Sequence, residues 1–213
     1  MDEVVDAVFA IECRSLPVDH AWALSEAIQT ALPWFADEPQ AGLHTIHGAS
    51  SASGWMRPEG EDALLQLSRR TKLVLRLPEH RLEDAAALSG RTLDIAGWPM
   101  RVGRLSARPL VRIASLFSRG VIFEGAADEA AFVAAALEGL RALGVETTTM
   151  LCGREVTLAT PEGTYRTRSL MVTVAAPAQS VELQRHGLGE ARKLGCGLFI
   201  PHKDVGDLRS RSD

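Results

Sequence analysis

Two of the six histidines, His44 and His47, lie close together beside a loop of small polar residues, 49–54. Imidazole titrates near neutral pH, so such side chains can take a proton from one oxygen and return one to another. On a regular strand, residues three apart point to opposite faces, so the two rings can share a site only if the chain turns at Ile46–Gly48. Both are candidate acid–base catalysts, with His47 favoured because it borders the loop. Either one can instead be a structural histidine bonded to backbone.

Other residues are weaker candidates for the same chemistry. His20 begins the first predicted helix, where it is expected to be exposed, although that position could approach a site near His44. Ser50, Ser51 and Ser53 can bind phosphate, but a flexible polar loop is the favoured interpretation. His202 and Lys203 end the last predicted strand and are expected to be solvent caps.

The spacing of His, Cys, Asp and Glu matches no metal site, so the sequence predicts no metal and no cofactor. The three cysteines are too far apart and odd in number for a disulfide framework (Cys13, Cys152 and Cys196).

The C-terminal part holds a glycine-rich segment with a basic centre, 187–197, in the one-letter code GLGEARKLGCG. Its glycines (Gly187, Gly189, Gly195 and Gly197) allow positive φ and close approach of the backbone to a partner. A nest of backbone N–H groups together with Arg192 and Lys193 suits phosphate oxygens. The segment therefore predicts an anionic ligand.

The charge of the chain is uneven. Residues 1–106 hold 10 Lys/Arg against 15 Asp/Glu, and residues 107–213 hold 13 against 12, within a net charge of −4. Residues 164–203 hold six Lys/Arg against two Asp/Glu, so a basic patch is predicted there. No apolar run approaches a membrane span and the N-terminus is acidic, so no membrane partner and a cytoplasmic location are expected.

The order of predicted elements indicates an α+β fold of two ferredoxin-like, RRM-like βαββαβ halves in tandem. Period-2 alternation predicts strands, and helical spacing between capping residues predicts helices. In the first half these are strands at 4–13, 42–48 and 72–77, helices at 21–32 (with Asp19 as N-cap) and 79–88, and a final strand or hairpin at 92–105. Residues 64–67 fit either a short helix or part of a strand. In the second half they are strands at 120–124, 147–152, 165–175 and 198–200, and helices at 128–143 and 178–186. The predicted domains are residues 1–110 and 111–213.

The glycine-rich segment resembles the signature of the Cas six family of CRISPR-associated ribonucleases, which cut precursor guide RNA. That signature reads Gly, apolar, Gly, five residues including Lys or Arg, Gly, apolar, Gly, and residues 187–197 match every position. The closest likeness is to the compact Myxan-type branch. The resemblance implies tandem ferredoxin-like domains and a histidine shortly after the first helix, where His44 and His47 fall.

The resemblance further implies a metal-independent endoribonuclease that binds CRISPR repeat RNA and cleaves it by 2′-hydroxyl attack, leaving a 2′,3′-cyclic phosphate. Repeat RNA and the mature guide are the expected partners, and other CRISPR effector subunits are possible ones. The family often adds a tyrosine from the first helix and a lysine near the second strand, whereas this chain has Trp22 and no Lys before Lys72. Either both histidines act, or one acts with a cation from the glycine-rich segment.

RNA contact is predicted for the glycine-rich segment with Arg192 and Lys193, and for Arg166 and Arg168, which share one face of a strand. A solvated strand face is an equal alternative for this last pair. Aromatic residues are only 5% of the chain, so recognition through backbone charge and hairpin shape is expected rather than base stacking. Two other functions remain open: a non-catalytic RNA-binding subunit with the same fold, and a ferredoxin-like regulatory module that binds a small anion.

Overall fold

The computed structural model describes residues 3–48 and 63–202, which form two compact units. The first unit contains the described residues of Met1–Pro109 with two later segments, Leu158–Gly163 and Lys193–Gly195. The second contains Leu110–Thr157, Thr164–Arg192 and the described part of Cys196–Asp213. The predicted domain boundary at residues 110 and 111 stays a prediction, and the assignment of Lys193–Gly195 to the first unit was not foreseen.

The first unit is built on an antiparallel sheet. Its elements are β1 (Val4–Glu12), β2 (Ser15–Pro17), α1 (Ala21–Ala31), α2 (Trp34–Asp37), β3 (Gly42–His44), β4 (Leu64–Gln66), β5 (Lys72–Pro78), α3 (Leu82–Ala85) flanked by 3₁₀ turns at Glu79–Arg81 and Ala86–Leu88, β6 (Thr92–Ile95) and β7 (Trp98–Pro109). The strand order is β3-β5-β1-β7-β6, and β2 pairs separately with β4. Without the edge strand β6, this is the ferredoxin-like order.

One face of this sheet forms the core of the first unit. Ala7, Phe9 and Ile11 alternate along β1, as the period-2 pattern predicted, and they are buried with Leu24 and Ile28 of α1. The opposite face of β1 carries Asp6, Val8 and Ala10, so polar groups on this side of the sheet must find partners there.

The second unit repeats the arrangement. Its elements are β8 (Ser115–Val121), α4 (Glu129–Ala142), most of β9 (Thr147–Thr160) and β10 (Gly163–Val174), α5 (Gln179–His186) and β11 (Ile200–Pro201). A 3₁₀ turn (Arg192–Leu194) begins at the last residue of this unit before the first-unit segment Lys193–Gly195. The strand order β11-β8-β10-β9 is again ferredoxin-like. The predicted fold, two ferredoxin-like halves in tandem, is confirmed.

The N-caps predicted from the sequence for α4 and α1 can be compared with the structure. The Asp128 carboxylate accepts a hydrogen bond from the Ala131 N–H at 2.8 Å, as the N-cap prediction requires. The predicted N-cap of α1 is wrong: His20, not Asp19, occupies that position. Within the described ranges, none of the helices is both long and apolar enough to span a membrane.

Candidate functional site

The strand β3 places His44 on the face of the sheet away from the core. β3 pairs with β5 only at Gly42, Leu43 and His44, with Leu43 buried against Leu75 and His44 opposite Val74. Regular pairing therefore ends at His44, and strand alternation does not decide the side on which His47 lies. A site shared by the two rings therefore stays a prediction.

His44 lies beside a buried charge network. Asp6 of β1 is flanked across the sheet by Arg76 of β5 and Arg108 of β7. Its carboxylate accepts hydrogen bonds from Arg76 Nε at 2.9 Å and from an Arg108 terminal nitrogen at 3.0 Å, and Arg76 is 0% exposed. His44 Nε2 stands 3.6 Å from Asp6 Oδ1, which is longer than a normal hydrogen bond.

The network shifts the ionisation of both groups. Burial lowers the pKa of His44 from 6.5, and the neighbouring Arg76 adds to this, against the raising effect of Asp6. The pKa of Asp6 is lowered because the contacts from His44 and Arg76 outweigh the raising effect of burial. His44 is thus held neutral beside an ionised carboxylate, with its side chain 17% exposed.

His47 lies beyond the end of β3 and is half-buried. Its Nε2 is 2.9 Å from the Thr45 hydroxyl oxygen. A hydroxyl can donate or accept, so this contact orients the ring while allowing either protonation state. The predicted small-residue loop 49–54, with Ser50, Ser51 and Ser53, lies outside the described residues, as does Lys203.

His20 was expected to be exposed at a helix start, and that expectation is wrong. The side chain is 3% exposed. Its Nδ1 is 2.9 Å from the Pro17 carbonyl, and its Nε2 accepts the Ile46 N–H at 3.1 Å. The ring therefore joins the start of α1 to the segment between His44 and His47.

The glycine-rich segment takes the backbone conformation that its sequence predicts. Gly187, Gly189, Gly195 and Gly197 all have φ between +67° and +85°. A Cβ at Gly195 would lie 2.6 Å from Thr45 Cγ2 and 3.0 Å from the Leu43 carbonyl oxygen, so Gly195, which belongs to the first unit, packs directly against the end of β3. A Cβ at Gly189 would clash with the Ile122 carbonyl.

Several N–H groups of this segment are engaged within the fold. The Leu188 N–H donates to the Gly197 carbonyl, the Glu190 N–H to Ile122, and the Gly197 N–H to Gly120. The Cys196 N–H donates to Ala191. The prediction that these N–H groups form a nest for an anion is wrong for these four donors, because backbone carbonyls already accept from them.

The two cations of the segment also donate to backbone carbonyls. Arg192 donates to the carbonyls of Arg185, at 3.1 Å, and His186, at the C-terminal end of α5. Lys193 Nζ donates to the carbonyls of Glu38 and, at 3.0 Å, of Ala41, and it lies 4.8 Å from the centre of the Phe35 ring. Both have a structural role, and RNA contact by either stays a prediction.

The two arginines of β10 differ in availability. Arg168 is 3.3 Å from Glu155 and 3.7 Å from Glu129, so two carboxylates compensate its charge. Arg166 is exposed and donates to the Ala127 carbonyl at 3.3 Å. Arg166 is therefore the better placed of the two for an external phosphate, and this assignment also stays a prediction.

Sequence reasoning missed the network around Asp6, although a signal was present. Asp6 and Arg76 are isolated charges within apolar strands, Val4–Glu12 and Lys72–Pro78. A charge at a buried strand position requires a partner, which marks such residues for attention. Among the described residues, no group of three or more His, Cys, Asp or Glu is arranged to hold a metal ion.

Comparison with known proteins gives a consistent result. Residues 5–204 match the family described as Cas6 Crispr. The CRISPR-associated endonuclease Cas6 of Myxococcus xanthus (strain DK1622) is 34% identical over 197 residues, which are 92% of this chain and 81% of that protein.

Solved structures support the same fold. The structure titled "CRISPR associated protein Cas6" has a TM-score of 0.62 at 10% identity and covers 95% of this chain and 100% of its own. The structure titled "Characterization of a Cas6-related gene from Pyrococcus furiosus" has a TM-score of 0.57 at 12% identity and covers 92% and 98%. The sequence match along nearly the whole length, together with the tandem ferredoxin-like fold and the glycine-rich signature, shows that this chain belongs to the Cas6 family of CRISPR-associated endonucleases.

Proposed function

We propose that this protein is a metal-independent endoribonuclease that binds CRISPR repeat RNA and cleaves it within precursor transcripts to release guide RNAs. The observation that carries the proposal is the placement of His47 in a chain of this family. The ring is half-buried just past the end of β3 and is oriented by the Thr45 hydroxyl at 2.9 Å.

The proposed reaction is an internal transfer at one phosphodiester. The 2′-oxygen attacks the adjacent phosphorus while a base removes its proton. The bond from phosphorus to the 5′-oxygen breaks, and an acid protonates that leaving oxygen. The products are a 2′,3′-cyclic phosphate and a 5′-hydroxyl, and no water is consumed. Proton donors and acceptors suffice for this chemistry.

His47 is our first candidate for proton transfer at the scissile phosphate, and His44 is the second. The lowered pKa of His44 keeps its ring neutral at pH 7, which is the form that accepts a proton. Its Nε2 faces the Asp6 carboxylate at 3.6 Å, so an imidazolium formed there would lie next to a negative charge. Either both rings act, or His47 acts with a cation close to the phosphate.

We propose that the protein binds RNA mainly through cationic side chains that contact the phosphates of the RNA backbone. Arg166 and the glycine-rich segment with Arg192 are the candidate contacts, and Arg168 contributes less because of its two carboxylate partners. The Lys193 ammonium already donates to two backbone carbonyls, so it is assigned to the fold instead. A related solved structure titled "An RAMP protein binding different RNA substrates", with a TM-score of 0.59, has the same fold. Affinity should fall as salt is added, since each phosphate contact releases counterions.

The test uses labelled repeat RNA and the same RNA with a 2′-deoxy group at the cleaved position, both in EDTA. We expect cleavage of the first only, with a cyclic phosphate end. His47→Ala should abolish cleavage at unchanged RNA affinity, whereas His80→Ala, at an exposed histidine of the same unit, should cleave normally. Cutting of the deoxy RNA, or loss of cutting in EDTA, would refute the mechanism. Binding without any cleavage by the wild type would identify a non-catalytic RNA-binding subunit instead.

A further inference from the structure

The buried histidine His20 makes two hydrogen bonds whose partners fix its chemical state. The Pro17 carbonyl can only accept, so Nδ1, 2.9 Å away, must carry a proton. The Ile46 N–H can only donate, so Nε2, 3.1 Å away, must be unprotonated. His20 is therefore a neutral imidazole in a single tautomer, with a defined donor side and a defined acceptor side.

The acceptor nitrogen, Nε2, binds a segment that lies beyond the last paired residue of β3. The pairing of β3 with β5 stops at His44, and Ile46 lies midway between His44 and His47. The side chain of Ile46 is buried at 2% exposure, so its N–H requires a partner inside the protein. The His20 ring, 26 positions earlier in the chain, supplies that partner.

We propose that His20 is a positioning residue for the cleavage reaction, fixing the backbone between His44 and His47 through the Ile46 N–H. This inference rests on the proposed function. A proton on Nε2, or its replacement by a donor, would place two hydrogens against each other and free the segment that carries His47. Misplacement of a catalytic group by about 1 Å can lower a rate about 100-fold.

Two substitutions of His20 distinguish the hydrogen bond to Pro17 from the hydrogen bond to Ile46. His20→Gln places an amide oxygen near the former Nε2 and keeps an acceptor for Ile46, while it loses the donor to Pro17. His20→Asn places an amide N–H near the former Nδ1 and keeps the donor to Pro17, while it loses the acceptor for Ile46. Both variants place a neutral amide in the same buried position and differ by one methylene in length, and each preserves a different one of the two bonds.

The experiment measures single-turnover cleavage of repeat RNA at saturating enzyme, with RNA affinity and melting temperature recorded for each variant. We expect His20→Asn to slow cleavage about 10- to 100-fold at unchanged affinity. His20→Gln should stay within about threefold of the wild type, a margin of less than 1 kcal/mol in the barrier. Nitrogen NMR of the wild-type His20 ring should show the Nδ1-protonated tautomer.

Each outcome bears on a different claim. Equal slowing of both variants, or normal cleavage by His20→Asn while His47→Ala is inactive, would overturn the role of His20 and leave the proposed function intact. Normal cleavage by His47→Ala would overturn the assignment of His47 and this inference with it. An Nε2-protonated ring would overturn the hydrogen bond to Ile46 whatever the cleavage assays show.

Discussion

We predict that Lys193 stabilises the fold and that Arg166 binds RNA, and substitution of each cation by Met tests this difference. Replacement by Met keeps most of the apolar stem and removes the ammonium group. Each hydrogen bond from a charged donor contributes about 1.5–3 kcal/mol, and the lower value suits a half-buried side chain. Two carbonyl bonds, to Glu38 and Ala41, therefore give about 3 kcal/mol, and the Phe35 ring at 4.8 Å adds to it.

We expect Lys193→Met to lower the melting temperature by about 6–12 °C, since about 1 kcal/mol corresponds to about 2–4 °C in a chain of this size. At a temperature where the variant is folded, its RNA affinity should show the same salt dependence as the wild type. Arg166→Met, at an exposed cation of the second unit, is the matched control. It should melt within about 2 °C of the wild type, and its salt slope should fall by about 0.7–0.9, the share of one phosphate contact.

The assays are thermal unfolding followed by circular dichroism and RNA binding over a series of salt concentrations. An unchanged melting temperature in Lys193→Met together with a reduced salt slope would refute this reasoning. That result would mean that the ammonium group binds RNA phosphate and that its carbonyl contacts contribute little.

Two further predictions concern the same unit. Gly195→Ala should destabilise the protein by about 1–3 kcal/mol more than Gly97→Ala, because both have φ +85° but only a Cβ at Gly195 meets neighbouring atoms; equal melting temperatures would show that β3 yields freely. Asp6→Asn should lower the free energy of unfolding by about 3 kcal/mol, because it leaves the buried Arg76 charge uncompensated. The pKa of Asp6 is lowered from 3.8, so its contribution is present above that pH and is lost as pH falls below it. Urea unfolding should accordingly show a larger loss of stability below pH 4 in the wild type than in Asp6→Asn, and parallel curves would contradict the shift.

Much of the fold is predictable from local pattern. The recurrence of Ala7, Phe9 and Ile11 at every second position marks β1, and Asp128 marks the start of α4, because both signals depend on neighbours in the chain. Boundaries were less certain: β8 begins at Ser115, earlier than the predicted strand at 120–124, and α2 was not foreseen. The order of the predicted elements and the glycine-rich segment together predicted the fold and indicated the family.

The candidate site is a different case. Sequence singled out His44 and His47 by type and by the neighbouring loop, but it did not reveal that Asp6 lies beside His44. It also interpreted His20 as an exposed helix-start residue. A histidine looks the same in sequence whether it is exposed or enclosed, since its state is set by partners that only folding brings near.

The sequence by itself determined the order of helices and strands, the conformational freedom at the four glycines and the presence of titratable groups suited to acid–base chemistry. Tertiary structure alone decided what those groups contact. His20 meets Ile46 across 26 positions, Arg76 meets Asp6 across 70, and Lys193 meets Ala41 across 152. Periodicity and capping act within a few residues, whereas hydrogen-bond partners of buried groups depend on which elements pack together. For that reason the sequence identified the glycine-rich segment by its pattern, and only the structure showed that Gly195 packs against β3 and that Lys193 donates to carbonyls just before it.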